Sequence, residues 1–147
     1  MMQKTYRQKA SEVNRKWYVI DASENTLGRI ASLAADYLNG KNKPTFTPHI
    51  DGGDYVIIVN AAQLKVTGNK MENKMYYHYS GYPGGLKERT LSEVMEKNPA
   101  EVLEHAISGM LPKNKLRPGR VARLKIYAGE EHDHQAQKPV KIGAKNG

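Results

Sequence analysis

The longest apolar run of the chain, "YVIIV" from Tyr55 to Val59, restricts the possible fold more than any other feature. It is far shorter than the roughly 20 residues of a membrane-spanning helix. Its β-branched residues predict a strand, and the side chains on both faces of that strand are apolar. Such a strand belongs to a sheet that is covered on both faces, which is typical of α/β proteins.

The segments before this strand agree with that interpretation. "WYVIDA" (17–22) predicts a strand, and an amphipathic stripe then predicts a helix that ends at Gly40: Leu27, Ile30, Ala31, Ala34, Ala35 and Leu38. Further strands are expected in "LKVTG" (64–68), "KMYYHYS" (74–80) and "IYAG" (126–129). We predict one three-layer α/β domain over residues 1–147, with a mainly parallel sheet of about four strands between helices, a basic extension at 1–16 and an extended tail at 130–147.

Two helix starts are visible in the second half of the sequence. Thr90 with Glu93, and Asn98 with Glu101, have the spacing of capping boxes, and Pro99 suits the first turn of a helix. The second helix is expected to bury one face: Val102, Leu103, Ala106, Ile107 and Met110. Residues 86–105 hold five glutamates against three cations, so this helix pair is expected to face away from any RNA.

The overall charge is strongly positive, with 23 Lys and Arg against 15 Asp and Glu, a formal net charge of +8. Such an excess favours a polyanionic partner, either nucleic acid or an anionic membrane. No membrane span or basic amphipathic helix is visible, so nucleic acid is favoured. The absence of cysteine excludes disulfides and thiolate zinc sites. Residues 1–16 do not resemble a secretory signal, although a transit peptide stays open.

The strongest candidate for phosphate binding is "PKNKLRPGRVARLK" (112–125), which has six cations and no acid. Pro118 and Gly119 predict an irregular track, whose long side chains could follow an RNA backbone. Removing its charges is expected to weaken RNA binding and to change thermal stability little; the alternative is a solvated basic face. The RNA-binding candidates of this segment are Lys113, Lys115, Arg117, Arg120, Arg123 and Lys125, and those elsewhere are Lys41, Lys43, Lys70, Lys74, Lys87 and Arg89.

A second candidate is the aromatic stretch "YYHYSGYPGG" (76–85), in which three tyrosines precede a glycine-rich turn and a fourth, Tyr82, lies within it. The residues that could stack on unpaired bases are Tyr76, Tyr77, His78, Tyr79 and Tyr82. The alternative is that alternate tyrosines of a strand are buried, and Tyr77 or Tyr79 is expected to hold the strand in the core. "GYPG" also fits a G-x-x-G loop, a pattern too short to carry weight alone.

Other constellations are weaker. His132, His134 and His49 could bind RNA or a metal, but tail histidines are usually solvated, and we predict no metal. Asp51 and Asp54 lack an activated nucleophile. The helix start at Asn25–Arg29 could bind a nucleotide, but the chain has neither a G-x-x-x-x-G-K-[ST] loop nor a G-x-G-x-x-G fingerprint. The simpler interpretation is that Gly28 allows close helix packing and Arg29 points outward. We therefore predict no enzymatic activity and no cofactor.

Eight ordered blocks extend over most of the chain: "KWYVIDA", "TLGRIAS", "GKNKPTFTPHIDGGDYVIIVNA", "TGNK", "YYHYSGYPGGLK", "GMLPKNK", "LKIYAG" and "EHDHQAQKP". From about Lys16 to Pro139 the chain resembles the L13 family of bacterial large-subunit ribosomal proteins. The resemblance implies an α/β protein of the cytoplasmic ribosome that binds 23S rRNA in the 50S subunit, supports its early assembly and hence translation, and neighbours other large-subunit proteins. It also implies a further partner to test, the chain's own messenger RNA. The RNA-facing blocks would be the tyrosine and glycine loop, residues 112–125 and the tail around His132 and His134.

Overall fold

The computed structural model describes residues 11, 13–41, 43, 50–66, 74–79, 81, 83–84 and 86–142, and only the backbone of residues 78, 79 and 87. The elements in chain order are β1 (Trp17–Asp21), α1 (Leu27–Asn39), β2 (Tyr55–Val59), a 3-10 turn (Ala61–Gln63), β3 (Met75–Tyr79), β4 (Leu86–Thr90), α2 (Leu91–Lys97), α3 (Pro99–Met110), α4 (Arg117–Ala122), β5 (Leu124–Ile126), a 3-10 turn (Gln135–Gln137) and β6 (Val140–Ile142).

The main sheet has four parallel strands in the order β5-β2-β1-β6. Its central strand β2 is the apolar run, and Val56, Ile57 and Ile58 are fully buried. The predicted mixed α/β class, with helices flanking a mainly parallel sheet, is confirmed. Strand β6 was not predicted, because three residues are too few to show an alternating pattern. Part of the segment described as an extended tail therefore joins the sheet edge, where Val140 pairs with Tyr18.

Helix α1 matches its prediction, since every residue of the amphipathic stripe is at most 7% exposed. It ends at Gly40, whose φ of 84° is left-handed and favours glycine. Arg29 is exposed, as predicted. The expectation for Gly28 was wrong, because Gly28 is exposed and a Cβ added there would meet nothing within 4 Å.

Strands β3 and β4 form a separate antiparallel hairpin, in which Tyr77 pairs with Glu88. Strand β3 was predicted and β4 was not, because "LKERT" has no apolar alternation. The strand expected in "LKVTG" is not formed over residues 64–66, where Lys65 makes only an isolated bridge to Thr26. The remaining two residues of that segment lie outside the described residues.

The helices after the hairpin pack on α1 and on each other, and one of the two predicted caps is formed. Thr90 Oγ1 accepts a hydrogen bond from the Glu93 amide at 3.3 Å, whereas the Asn98 side chain makes no capping bond. Met110 was wrongly predicted as core, since it is 48% exposed at the last position of α3. No helix within the described ranges is long and apolar enough to cross a membrane.

The predicted irregular track at residues 112–125 was also wrong in part. Residues Arg117–Ala122 form helix α4, and β5 follows almost directly. Pro118 does not prevent the helix because it lies in the first turn, where no amide donor is needed. The helical turn rotates the arginines of this segment toward different environments.

Candidate nucleic-acid interface

A highly charged cluster surrounds the Asp51 carboxylate, just before β2. Three arginines approach its Oδ1: Arg123 Nη2 donates a short hydrogen bond, Arg120 Nε lies at 3.5 Å, and Arg15 Nη1 at 3.8 Å. Arg15 also donates to the carbonyls of Asp51 and Gly53, at 2.9 and 2.6 Å. We call these four residues, Arg15, Asp51, Arg120 and Arg123, the arginine–aspartate centre.

The loop that carries Asp51 is held against the end of α1. Arg123 Nη2 donates to the Leu38 carbonyl at 3.0 Å, which is one of the carbonyls left free by the helix end. Gly53 lies so close that an added Cβ would be 1.8 Å from that same oxygen. Asp54 is fully buried. Its carboxylate accepts a hydrogen bond from the Lys16 amide at 2.9 Å and forms an ion pair with Lys43 Nζ at 2.8 Å.

Burial separates Arg120 and Arg123 from the other cations of their segment, since they are 1% and 6% exposed. Desolvation lowers the pKa of Arg123, an effect that the neighbouring Asp51 opposes. The three guanidinium nitrogens of Arg120 are buried and have no hydrogen-bond partner among the described residues. The expectation that all six cations form a solvent-facing track is therefore wrong for these two, because they face Asp51 inside the domain.

The remaining cations of the segment differ in exposure. Lys113 and Lys115 are exposed, in the turn before α4. Arg117 is half-buried and lines an open cavity of about 440 Å³ between α3 and α4, together with Glu101 and Glu104. Lys125 is half-buried on β5 and donates to the Ala122 carbonyl at 3.1 Å. Outside the segment, Lys41 and Lys74 are exposed.

The β3–β4 hairpin reverses the expected roles of its tyrosines. Tyr76 packs against the core, and its ring meets the His105 ring edge-on at 5.1 Å. Burial, followed by the Glu101 charge, raises the pKa of Tyr76. Tyr77, one position later on the opposite face, is 62% exposed, so its prediction as a possible core residue was wrong. Leu86 on the paired strand is 54% exposed.

Two further candidates on this hairpin have protein partners. Arg89 forms an ion pair with Glu101 at 2.8 Å, and both side chains remain partly exposed. Lys74 Nζ lies 5.5 Å from the centre of the Tyr76 ring, within the range of a cation–π contact. His78 and Lys87 pair across the hairpin through their backbones. Their side chains, and the whole of Lys70, Tyr82 and His49, lie outside the described residues.

The tail histidines are ordered by an aromatic stack rather than solvated. The His134 ring lies 5.0 Å from the Trp17 ring, which stacks on Tyr55 at 4.2 Å. His134 Nε2 shares a hydrogen bond of 2.9 Å with the Tyr127 hydroxyl, and the His134 amide donates to His132 Nδ1 at 3.2 Å. Within the part of the chain that the structure describes, no group of three or more His, Cys, Asp or Glu side chains is arranged to hold a metal.

Sequence reasoning missed two residues of this surface. Arg15 was treated only as part of a basic extension, because no local pattern links it to a loop more than 30 residues away. Tyr77 was left out of the predicted RNA contacts and treated as one of two alternative core residues, because alternation separates two faces without showing which one is buried. The exposed glutamate partner of Tyr77, Glu88, was the available signal that this face is solvated.

Comparison with known proteins identifies the family. The family model described as ribosomal protein L13 matches residues 15–133, which include β1 through β5 and the arginine–aspartate centre. The chain belongs to the ribosomal protein L13 family. As a member of the L13 family it is a structural constituent of the ribosome and not an enzyme. The match begins at Arg15 and ends before His134.

Individual L13 relatives are similar over nearly their whole length. The large ribosomal subunit protein uL13 of Rhodococcus jostii is 56% identical over 136 residues, which cover 92% of each chain. The uL13 protein of Syntrophomonas wolfei is 54% identical and covers 92% of this chain and 94% of its own. That of Lawsonia intracellularis is 53% identical over 139 residues, 95% of this chain and 96% of its own.

Proposed function

We propose that this chain binds 23S ribosomal RNA in the 50S large subunit, and that it supports early subunit assembly by holding folded RNA segments together. The observation that carries the proposal is the segregation of charge. Residues 86–105 hold five glutamates against three cations, although the whole chain is +8. The positive charge therefore lies on the rest of the molecule, where a polyanion would be attracted.

The exposed cations form the phosphate-binding part of this proposal. Lys113 and Lys115 project from the turn before α4, and Lys41 and Lys74 are exposed at other loops. Lysine ammonium groups at such positions neutralise phosphates without being required for packing. Because Arg120 and Arg123 are buried in the domain, we do not include them in this exposed set.

The exposed face of the β3–β4 hairpin supplies the aromatic part. Tyr77 presents most of its ring to solvent, and Leu86 lies on the neighbouring strand. A tyrosine exposed in this way can stack on an unpaired base, a contact worth about 1 to 3 kcal/mol. We propose Tyr77 as the stacking residue of the described hairpin and retain His78, Lys87 and Tyr82 as predicted RNA contacts.

Salt dependence tests the electrostatic mechanism. If about six phosphates are contacted, the logarithm of the affinity for a 23S rRNA fragment should fall against log salt with a slope on the order of −4 to −5. The measurement is a series of filter-binding or anisotropy titrations between low and physiological salt. An affinity that does not change with salt would contradict the proposal.

Co-sedimentation separates ribosomal placement from regulation of the chain's own messenger RNA. A tagged chain expressed in cells should remain with 50S particles through a high-salt wash, because packing inside folded rRNA adds contacts beyond charge. Purified chain that binds its own messenger RNA but is absent from washed 50S particles would support the regulatory alternative instead.

Early assembly is tested by depletion, which should lead to accumulation of precursor particles that lack later proteins.

A further inference from the structure

The guanidinium group of Arg120 is the feature that the proposed function leaves unexplained. The residue is 1% exposed, and Nε, Nη1 and Nη2 are all buried without a hydrogen-bond partner in the part of the chain that the structure describes. Its only described ionic neighbour is Asp51 Oδ1, 3.5 Å from Nε. Buried polar groups in native proteins are almost always hydrogen-bonded, and a buried charge without partners is costly.

The charges around Asp51 do not balance. Three guanidinium groups, from Arg15, Arg120 and Arg123, face one carboxylate. Asp54, an acid in the same loop, is already paired with Lys43 at 2.8 Å. The arginine–aspartate centre therefore has an excess of positive charge and several unused planar donors, which is the donor set that phosphate oxygens accept.

The centre reaches the surface on one side. The Arg15 side chain is 29% exposed and that of Asp51 is 18% exposed, whereas Arg120 lies behind them. An anion that arrives on this side meets Arg15 first. The anion can bind Arg120 beside the Asp51 carboxylate, or it can replace that carboxylate. Both exchanges are open to it because carboxylate and phosphate oxygens accept hydrogen bonds from the same guanidinium donors.

We propose that the arginine–aspartate centre is a binding site for a phosphate group, with Arg120 as its inner ligand and Arg15 as its outer ligand. The Asp51 carboxylate partly neutralises the arginines in the free chain. The phosphate source is either an RNA backbone or inorganic phosphate, and both present the same tetrahedral oxyanion. This site is distinct from the exposed cations of the proposed function. Only the part of its test that uses RNA rests on that proposed function.

Thermal unfolding in inorganic phosphate tests the site without RNA. The melting temperature of the wild-type chain should rise and saturate over low millimolar phosphate, compared with chloride at equal ionic strength and pH. Low concentrations avoid the general stabilisation that phosphate exerts at high concentration through exclusion from protein surfaces. A rise that does not saturate would contradict specific binding.

Arg120→Met is the decisive variant, because it replaces a buried charge by an apolar side chain of similar length. Its melting temperature in chloride should be at least that of the wild type, and the increase with phosphate should be lost. Arg29→Met is the matched control, the same substitution at an exposed arginine of α1 that the proposed function does not use, and it should keep the full increase. If Arg120→Met does not fold, Arg15→Gln is the second variant and should weaken the phosphate effect.

The RNA arm identifies the source of the phosphate. If it is a backbone phosphate, Arg120→Met should lower affinity for the 23S rRNA fragment and reduce the salt slope by somewhat less than one. Equal RNA affinity of wild type and variant, with the phosphate increase lost, would assign the site to free phosphate. If Arg120→Met changes neither measurement, the site is overturned. A wild-type chain that fails to bind rRNA would contradict the proposed function and leave the phosphate result standing.

Discussion

The lysines at the start of segment 112–125 are exposed, whereas the arginines near its end are buried around Asp51. In the sequence these cations are equivalent members of one basic run. In the fold, Lys113 and Lys115 remain available to a ligand, while Arg123 joins α1 to the loop before β2 through its hydrogen bonds. A dense basic run can therefore contain structural and ligand-binding charges side by side. The difference between Arg123 and the two lysines can be measured, because it predicts opposite effects on stability and on RNA affinity.

The largest effect is expected from Gly53→Ala at the buried centre. An added Cβ would lie 1.8 Å from the Leu38 carbonyl oxygen, so the Asp51 loop would have to move away from α1. We expect the free energy of unfolding to fall by about 3 kcal/mol or more, as for severe overpacking. Chemical denaturation measures this loss.

Gly119→Ala is the matched control for that substitution. It lies in α4 of the same centre, and its added Cβ would only approach Asp51 Oδ2 at 3.8 Å, an ordinary contact. Alanine favours a helix over glycine by up to about 1 kcal/mol, so this variant should be equally or more stable. Equal losses in both variants would show that the loop before β2 is not held tightly.

Asp51→Asn should be next in size, because it leaves three arginines without their shared carboxylate. Removing one partner of a buried ion pair costs about 3 to 5 kcal/mol. Since the Asp51 side chain is partly exposed, we expect a loss of roughly 2 to 4 kcal/mol in the free energy of unfolding. An unchanged denaturation midpoint would mean that the centre contributes nothing to stability.

The double variant Lys113→Gln with Lys115→Gln should show the opposite behaviour. Both side chains are exposed, so the free energy of unfolding should change by less than about 0.5 kcal/mol. If each lysine neutralises one phosphate, the slope of log affinity against log salt should become less steep by roughly 1.4 to 1.8. Unfolding and RNA titrations on one preparation test both parts, and a loss of stability without a change in slope would reverse the assignment.

A further effect, which depends on pH, concerns Asp21, a carboxylate held by neutral donors rather than by arginines. Burial would raise its pKa, but hydrogen bonds from Ser23 and Asn60, at 2.6 to 3.1 Å, lower it. A lowered folded-state pKa contributes stability that is complete above the unfolded value, near 3.9, and is lost as the pH falls through the folded value. Asp21→Asn should therefore cost about 1 kcal/mol at neutral pH and progressively less below about pH 4. A difference that is constant with pH would contradict this origin.

The parts of the fold that were predictable have local patterns. The helix stripe from Leu27 to Leu38 repeats every turn, and the apolar run at β2 has no polar face to expose. Strands β4 and β6 were missed because their stability comes from pairing with β3 and β1 and not from their own composition. Met110 fits the apolar stripe of α3, but the helix ends there and leaves it exposed.

The candidate interface was predictable in charge and composition but not in exposure. Alternation along β3 correctly separates Tyr76 from Tyr77, yet only the packing of Tyr76 against His105 decides which face is buried. The sequence treats the six cations of segment 112–125 alike, but Arg120 and Arg123 are buried because an aspartate far away in the chain faces them.

The sequence by itself determined the α/β class, the first strand–helix–strand unit, the absence of cysteine chemistry and the L13 family, because these depend on local periodicity and on ordered motifs. The tertiary structure decided which charges are free. Asp51 and Arg123 are 72 positions apart in the sequence, and no local spacing relates them. Burial is set by the residues that pack on a side chain, so the division between structural arginines and exposed lysines arises only when the distant loop before β2 closes on α4.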